Sequence, residues 1–181
     1  IGKGTINAVA WSPNSNLLAV GGSLGVWLYD LNNLEEVPRL LAGHRQPVTS
    51  VAWSPDGTLL ASGSESSLQI WSIVSGEPEL QRSGAGVQAI AWSPDGSMLA
   101  TISETGSKRV WNAAAEEVLL VIANQQKALS LTWSPYGTVI ASGSSDGKIR
   151  LWDSATGREL RTIELDWNAN AVRGLDWAPH G

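Results

Sequence analysis

Five copies of a Trp-(Ser/Ala)-Pro tripeptide, each ending an alternating apolar run, constrain the fold of this chain more than any other feature. The tryptophans are Trp11, Trp53, Trp92, Trp133 and Trp177, so successive copies are 42, 39, 41 and 44 residues apart. A fixed period near forty residues indicates one supersecondary unit used repeatedly, because a single unit of this size cannot bury its apolar face alone. We therefore expect a repeat architecture.

Each copy predicts a small antiparallel meander. In the second copy an apolar strand from Val48 to Trp53 is followed by a Ser-Pro-Asp-Gly turn and a second strand at Leu59–Gly63. A third strand, Leu68–Trp71, alternates with period two, and a weaker fourth strand lies near Pro78–Gln81. Turns this short connect antiparallel strands, whereas a parallel pair would need a crossover of a dozen residues or more.

Composition excludes several function classes. The chain has 12 Lys and Arg against 17 Asp and Glu, and its net charge of −5 argues against nucleic acid as a partner, which would need a basic stripe. There is no cysteine, so disulfides and thiolate metal sites are excluded. No apolar run reaches the ~18 residues that a membrane span requires. No signal peptide is visible, and a cytoplasmic location is favoured.

A second dipeptide identifies the type of repeat. Trp152-Asp153 ends the third strand of the fourth copy, and Trp111-Asn112, Trp71-Ser72 and Tyr29-Asp30 fill the same place elsewhere. A Gly-His pair, Gly43-His44, precedes the second copy. Over essentially its whole length the chain resembles the WD40 β-propeller family.

The resemblance implies an all-β fold, a WD40-type β-propeller arc of four-stranded antiparallel blades that is part of, or assembles into, a larger closed propeller. It implies one propeller region over residues 1–181. The expected blades are residues 6–42, 48–82, 87–122 and 128–164, and the first strand of a fifth blade is expected at 172–177.

The family commonly has a His-Ser-Asp-Trp hydrogen-bonded tetrad within a blade. Carried over by position, the second blade offers His44, Ser62 and Trp71, with Glu65 where Asp is expected. The fourth blade offers Ser142, Asp146 and Trp152, but Gln125-Gln126 replaces Gly-His. No blade shows all four residues, so the sequence predicts an incomplete network. Lys108 occupies an apolar third-strand position and is expected either to extend outward or to make the third blade irregular.

The residues do not predict an enzyme. The two histidines, His44 and His180, are far apart in sequence, and His44 is better explained by the Gly-His turn than by catalysis. Asp56 and Asp95 lie in Pro-Asp-Gly turns, whose chemistry accounts for them. We expect no catalytic residue, no cofactor and no metal site.

Partner-binding residues are expected on the wide face, as the resemblance implies. This face is made by loops entering each first strand and by turns joining strands two and three. The candidates are Thr5, Asn7, Pro47, Thr49, Glu65, Gln88, Glu104, Lys127, Leu129, Ser145 and Arg173, with Trp167 as a possible rim contact from the longest connection. Trp27 is either packed on a neighbouring loop or an exposed aromatic contact for a partner. The equivalent third-strand positions of the other repeats, Gln69, Arg109 and Arg150, are predicted to face solvent.

The predicted function is a non-enzymatic scaffold that recognises a protein or peptide partner of unknown identity, without nucleic acid or membrane. Two alternatives stay open. In the first, the chain is structural and has no separate ligand: it is either a half-propeller that closes a ring as a homo-oligomer or a fragment of a longer propeller. In the second, the chain is an enzyme with a site in the propeller channel. The molar mass from size-exclusion chromatography tests the structural alternative, and a screen for substrate turnover tests the enzyme.

Overall fold

The computed structural model describes residues 4–84, 86–122, 126–164 and 171–178. These residues form sixteen β-strands and no helix, arranged as four antiparallel sheets in which each strand pairs with its sequence neighbours. The chain is therefore all-β, and we call the four sheets blades one to four.

The strands follow the predicted order. Blade one comprises β1 (Ile6–Trp11), β2 (Leu17–Gly22), β3 (Gly25–Asp30) and β4 (Arg39–Leu41), and blade two comprises β5 (Val48–Trp53), β6 (Leu59–Ser64), β7 (Ser67–Ser72) and β8 (Pro78–Ser83). Blade three comprises β9 (Ala89–Trp92), β10 (Met98–Ile102), β11 (Lys108–Asn112) and β12 (Val118–Ile122). Blade four comprises β13 (Ala128–Trp133), β14 (Val139–Ser144), β15 (Lys148–Asp153) and β16 (Glu159–Glu164).

Two compact units divide the chain, Ile1–Ile90 and Ala91–Gly181, and the boundary falls inside β9. The first unit holds blades one and two, and the second holds blade four and most of blade three. The single region over 1–181 and the blade limits given above stay predictions.

The turns after the first strands depend on side-chain caps. In blade two the Ser54 hydroxyl donates to Asp56 Oδ1 at 2.6 Å, and Asp56 accepts from the Thr58 backbone N–H at 3.0 Å. Gly57 completes this turn with φ +73°, a left-handed conformation that glycine adopts without a steric penalty. The repeated Ser-Pro-Asp-Gly motif therefore fixes the hairpin between the first two strands.

Blades one and two share an apolar core within the first unit. Val26, Leu28 and Leu41 of blade one are buried with Val48 and Trp53 of blade two. Gly21 lies in this interface, where an added Cβ would be 2.6 Å from the Val48 side chain, so only glycine permits this approach. Small residues in the second strand of one blade thus make room for the first strand of the next.

Residues 171–178 have no regular secondary structure, so the predicted fifth first strand at 172–177 is not a strand in the structure. A strand is defined by its ladder to a neighbour, and no strand pairs with this segment among the described residues. The segment nevertheless contacts blade four: the Val172 N–H donates to Ser144 O at 3.0 Å, and the Ser130 hydroxyl donates to Val172 O at 3.0 Å.

Candidate partner-binding face

A β-bulge interrupts the first strand of three blades at the same place. The pairing register shifts between Ile6 and Ala8, between Val48 and Ser50, and between Ala128 and Ser130. The extra residues are Asn7, Thr49 and Leu129, all predicted partner-binding positions. A bulge redirects the side chain of the extra residue away from the regular alternation.

Two of these bulge residues bind the next first strand rather than standing free. The Asn7 side-chain amide donates to Val48 O at 3.0 Å. The Thr49 hydroxyl donates to Val87 O at 2.6 Å. The Leu129 side chain has no hydrogen-bond donor, and the hydroxyl of its neighbour Ser130 makes the equivalent bond to Val172 O. These positions therefore hold successive first strands together.

The entering loops lie beside the turns that join strands two and three. Thr5 O accepts from the Ser23 N–H at 3.0 Å, and Lys127 O accepts from the Ser145 N–H at 2.9 Å. These bonds use the backbone, and Thr5, Lys127 and Ser145 are exposed residues. The wide-face side chains at these positions are therefore available to solvent.

In the second unit this edge continues from blade three to the segment after blade four. Gly106 has φ +84°, and an added Cβ there would lie 2.6 Å from Lys127 Cα, so the turn that carries Glu104 abuts the loop entering blade four. The Val172 N–H bonds to Ser144 O, which brings the exposed Arg173 to the same edge. This edge combines one acidic and two basic side chains.

In the first unit Pro47 and Glu65 are exposed, whereas Gln88 is half-buried. The Val87 N–H donates to Ser64 O at 2.8 Å, which places the segment entering β9 beside the turn that carries Glu65. Gln88 Oε1 is buried and has no hydrogen-bond partner. Trp167 lies outside the described residues.

A hydrogen-bonded network stabilises blade two. The Trp71 indole donates to Ser62 Oγ at 2.7 Å, and Ser62 Oγ lies 2.7 Å from His44 Nε2. The other ring nitrogen, His44 Nδ1, lies 3.1 Å from Ser67 Oγ, so each nitrogen of the ring has a serine hydroxyl as its hydrogen-bond partner. Burial lowers the pKa of His44 to about 4, so the ring is neutral near pH 7.

No aspartate joins the blade-two network, so the His-Ser-Asp-Trp set is incomplete there, but Ser67 takes part in its place. Ser67, and not Glu65, meets His44; Glu65 is exposed in the turn. The turn between β6 and β7 is one residue shorter than the turn between β14 and β15, and the hydroxyl of Ser67 takes the place beside His44 that the family tetrad gives to an aspartate. The sequence signal for Ser67 was weak because serine is common in such turns.

Blade four retains only part of the network. The Trp152 indole donates to Ser142 Oγ at 2.8 Å. Asp146 is not in this chain of bonds, because its carboxylate accepts from the Arg150 guanidinium at 2.7 Å. That bond holds the pKa of Asp146 below its ordinary value. Asp146 thus ties the turn after β14 to the strand that follows it.

Blade three contains a pair that the sequence reasoning missed. The Trp111 indole donates to Thr101 Oγ1 at 2.9 Å. The common signal in blades two to four is a Ser or Thr nine or ten residues before the third-strand tryptophan. An indole bound to a strand-two hydroxyl is therefore the shared element of the network.

Two third-strand residues differ from expectation. Gln69 is fully buried, not solvent-facing, because its face of blade two packs on blade one near Gly43. Lys108 neither extends outward nor breaks its strand: it is 3% exposed, and its Nζ lies 4.8 Å from the centroid of the Trp152 ring. Burial, and then the Arg150 charge, lowers the pKa of Lys108 to about 8.

The described residues contain no group of three or more His, Cys, Asp or Glu side chains that could hold a metal ion. Nor do they include a helix long and apolar enough to span a bilayer.

Four-stranded meanders, indole–hydroxyl pairs and entering loops that lie beside the turns between strands two and three are typical of a WD40-type β-propeller. The WD40 family (WD domain, G-beta repeat) matches residues 2–30, 35–72 and 77–112, and the WD40 domain of anaphase-promoting complex subunit 4 matches residues 106–180. The chain belongs to the WD40 repeat family.

Solved structures show the same fold. The β-propeller domain of Cps50 (Swd1) from Myceliophteria thermophila superposes with a TM-score of 0.88 at 18% identity, over 100% of this chain and 61% of that one. A chain of the mitotic checkpoint complex superposes with a TM-score of 0.83 at 23% identity, over 96% of this chain and 53% of that one. This chain thus spans less than two thirds of either. A search of curated protein sequences gives no significant match.

Proposed function

We propose that this chain is a non-enzymatic platform that binds a protein or peptide through its wide face. The WD40 fold is a scaffold typical of protein–protein interaction, and WD40 propellers are generally non-enzymatic. One structural neighbour is part of a multiprotein assembly, the mitotic checkpoint complex. For this chain the partner and the binding face are part of the proposal.

One observation carries the assignment of the face. In the second unit, backbone contacts join the turn with Glu104 to Lys127, Lys127 to Ser145, and Ser144 to Val172. The side chains on this edge are left exposed while the backbone is fixed. Rigid scaffolds that present loop side chains in this way commonly carry recognition. Mixed charges favour a partner with polar and charged groups of both signs.

The experiment is a peptide-display selection against the 181-residue chain, followed by affinity measurements on the selected peptide with Lys127→Glu, Arg173→Glu and Leu129→Asp variants. We expect the charge reversals to weaken binding mainly by slowing association, with a steep dependence on salt. Arg158→Glu is the matched control, since Arg158 lies in the turn at the opposite strand ends. Unchanged binding in all three variants would exclude this face.

A second candidate function is self-assembly, favoured by an apolar face of blade one. Ile6 is 67%, Val9 59% and Trp11 57% exposed, although the matching face of blade two packs on blade one. A second copy of the chain could cover this face as a neighbouring blade does, and two copies could close a ring of about eight blades. A further blade of a longer propeller would cover it equally well.

Light scattering across micromolar concentrations tests this second candidate. We expect a dimer or larger species, and Trp11→Glu should shift it toward monomer because a charge enters the apolar contact. A wild-type monomer throughout that range would rule out self-assembly.

A further inference from the structure

The turn after the first strand of blade four differs from its three counterparts. The residue following the turn proline is Asn14 in blade one, Asp56 in blade two and Asp95 in blade three, but Tyr136 in blade four. The first three are polar caps, and Tyr136 is 75% exposed. An exposed aromatic ring does not stabilise the turn better than the polar caps do. The presence of Tyr136 at this position therefore calls for another explanation.

Tyr136 borders a surface cleft in the second unit. The turns of blades three and four touch there, since a Cβ added at Gly137 would lie 3.6 Å from Pro94 Cδ. The cleft has a volume of about 300 Å³. Its lining residues are Pro94, Asp95, Met98, Pro135, Tyr136 and Gly137. Two prolines, a methionine and a tyrosine therefore border the cleft together with Asp95.

Asp95 gives the cleft a fixed negative charge. Its Oδ1 accepts from the Ser93 hydroxyl at 2.6 Å and from the Ser97 N–H at 3.0 Å. These hydrogen bonds, of which the one from the Ser93 hydroxyl has the largest effect, lower the pKa of Asp95 to about 2. Its Oδ2 accepts only the Ser97 hydroxyl, at 2.8 Å, and the residue is exposed, so this oxygen can accept a further donor.

We propose that the Tyr136 cleft binds an extended, proline-rich peptide segment that carries an arginine. Proline rings pack against aromatic and proline surfaces with little loss of conformational entropy, because a polyproline helix is already extended in solution. An arginine guanidinium can stack on the Tyr136 ring while it donates to Asp95. This site lies at the opposite strand ends from the wide face and is independent of it.

The test uses fluorescence anisotropy with a labelled six-residue peptide, Arg-Pro-Pro-Arg-Pro-Pro, titrated with the 181-residue chain. Two control peptides replace Arg by Glu or Pro by Gly. Two variants are matched to residues that the repeat already accepts. Tyr136→Asp restores the cap of blades two and three, and Asp95→Asn copies blade one, where Asn14 Oδ1 accepts the Ser12 hydroxyl at 2.7 Å.

We expect saturable binding of the Arg-Pro peptide that weakens about tenfold or more in Tyr136→Asp, as for an aromatic hot spot. Asp95→Asn should weaken it by about threefold to tenfold and flatten its salt dependence, whereas Asp56→Asn in the other unit should leave binding unchanged. Absence of saturable binding, equal binding of the Glu-Pro peptide, or unchanged affinity in Tyr136→Asp would overturn the proposal. Loss of affinity in Lys127→Glu alone would place the peptide on the wide face instead.

Discussion

Blades one and two contain the same motif in opposite surroundings. The tryptophan of the Trp-Ser-Pro motif is 57% exposed in blade one and 8% exposed in blade two. In blade two the Trp53 indole also donates to Ala10 O at 3.0 Å, so it packs on blade one and bonds to it. A repeat motif therefore specifies a surface that fits its neighbour, and burial follows only where a neighbour is present.

The same faces also differ in chemistry. In blade two Ser62, Gln69 and Trp71 occupy the positions that Val20, Trp27 and Tyr29 occupy in blade one. Trp27 is half-buried and borders a small apolar pocket with Val20 and Tyr29. The polar network of blade two thus has an apolar counterpart in blade one, which suits an apolar contact and has no buried polar groups to satisfy.

The largest expected difference between the two blades concerns their tryptophans. Trp53→Ala should lower the free energy of unfolding by about 3–5 kcal/mol, because it leaves a cavity in the shared core. Trp11→Ala should cost less than about 1 kcal/mol in the monomer, since most of the ring is in solvent. Urea denaturation followed by circular dichroism measures both. Equal losses would contradict the blade pairing described above.

The polar network gives the next largest effect. Ser62→Ala should cost about 2–3 kcal/mol, because it leaves the Trp71 indole and the His44 ring buried without their shared partner. Val20→Ala, at the matching site of blade one, removes only apolar contacts and should cost about 1–2 kcal/mol. Thermal unfolding of both variants beside wild type checks this order, and a smaller loss in Ser62→Ala would argue against the network.

Acid should destabilise blade two through His44. Its pKa is about 4 in the folded protein and 6.5 ordinarily, so the unfolded chain binds the proton more readily as pH falls below 6.5. The stability is fully present above pH 6.5 and is lost progressively as pH falls toward 4. Between pH 7 and pH 5 the wild type should lose about 2 kcal/mol more than His44→Gln. Parallel losses in the two proteins, in urea titrations at both pH values, would exclude this role.

The smallest effect concerns the bulge. Thr49→Val keeps the shape of the side chain but removes the bond to Val87 O, and should cost about 1 kcal/mol. Amide hydrogen exchange around Val87 should accelerate more than exchange in β7, because the lost hydroxyl contacts Val87 O and, in β6, Gly63 O, but nothing in β7. Uniform acceleration over the whole unit would show that Thr49 acts in the core instead.

Sequence was sufficient for whatever depends on local chemistry. Turn prolines and glycines, period-two runs and the forty-residue spacing predicted the strands and their order. The indole–hydroxyl pairs of blades two and four could be predicted, since Ser62 and Ser142 occupy the serine position of the family tetrad. Ser67 escaped because a shortened turn changed which residue meets His44.

Other features depend on three-dimensional neighbours. Exposure of Trp11 and burial of Gln69 follow from which blade covers each face, and a linear pattern does not contain that information. The bulges at Asn7 and Thr49 are also invisible, because an extra residue leaves the apolar alternation nearly intact. These positions were predicted to bind a partner because the family resemblance places the wide face there, whereas in the structure the Asn7 and Thr49 side chains bond to the segment of the next blade.

The hydrogen bonds from the bulge region of a first strand always run to the repeat that follows in the sequence, and this order bears on how the chain folds during synthesis. Val48 of β5, Val87 before β9 and Val172 after blade four are each attached to the preceding blade through a backbone carbonyl. A ribosome releases the chain in this same order. Every new repeat can therefore anchor its leading strand on a finished surface as it emerges, so that synthesis and assembly advance together, one repeat at a time.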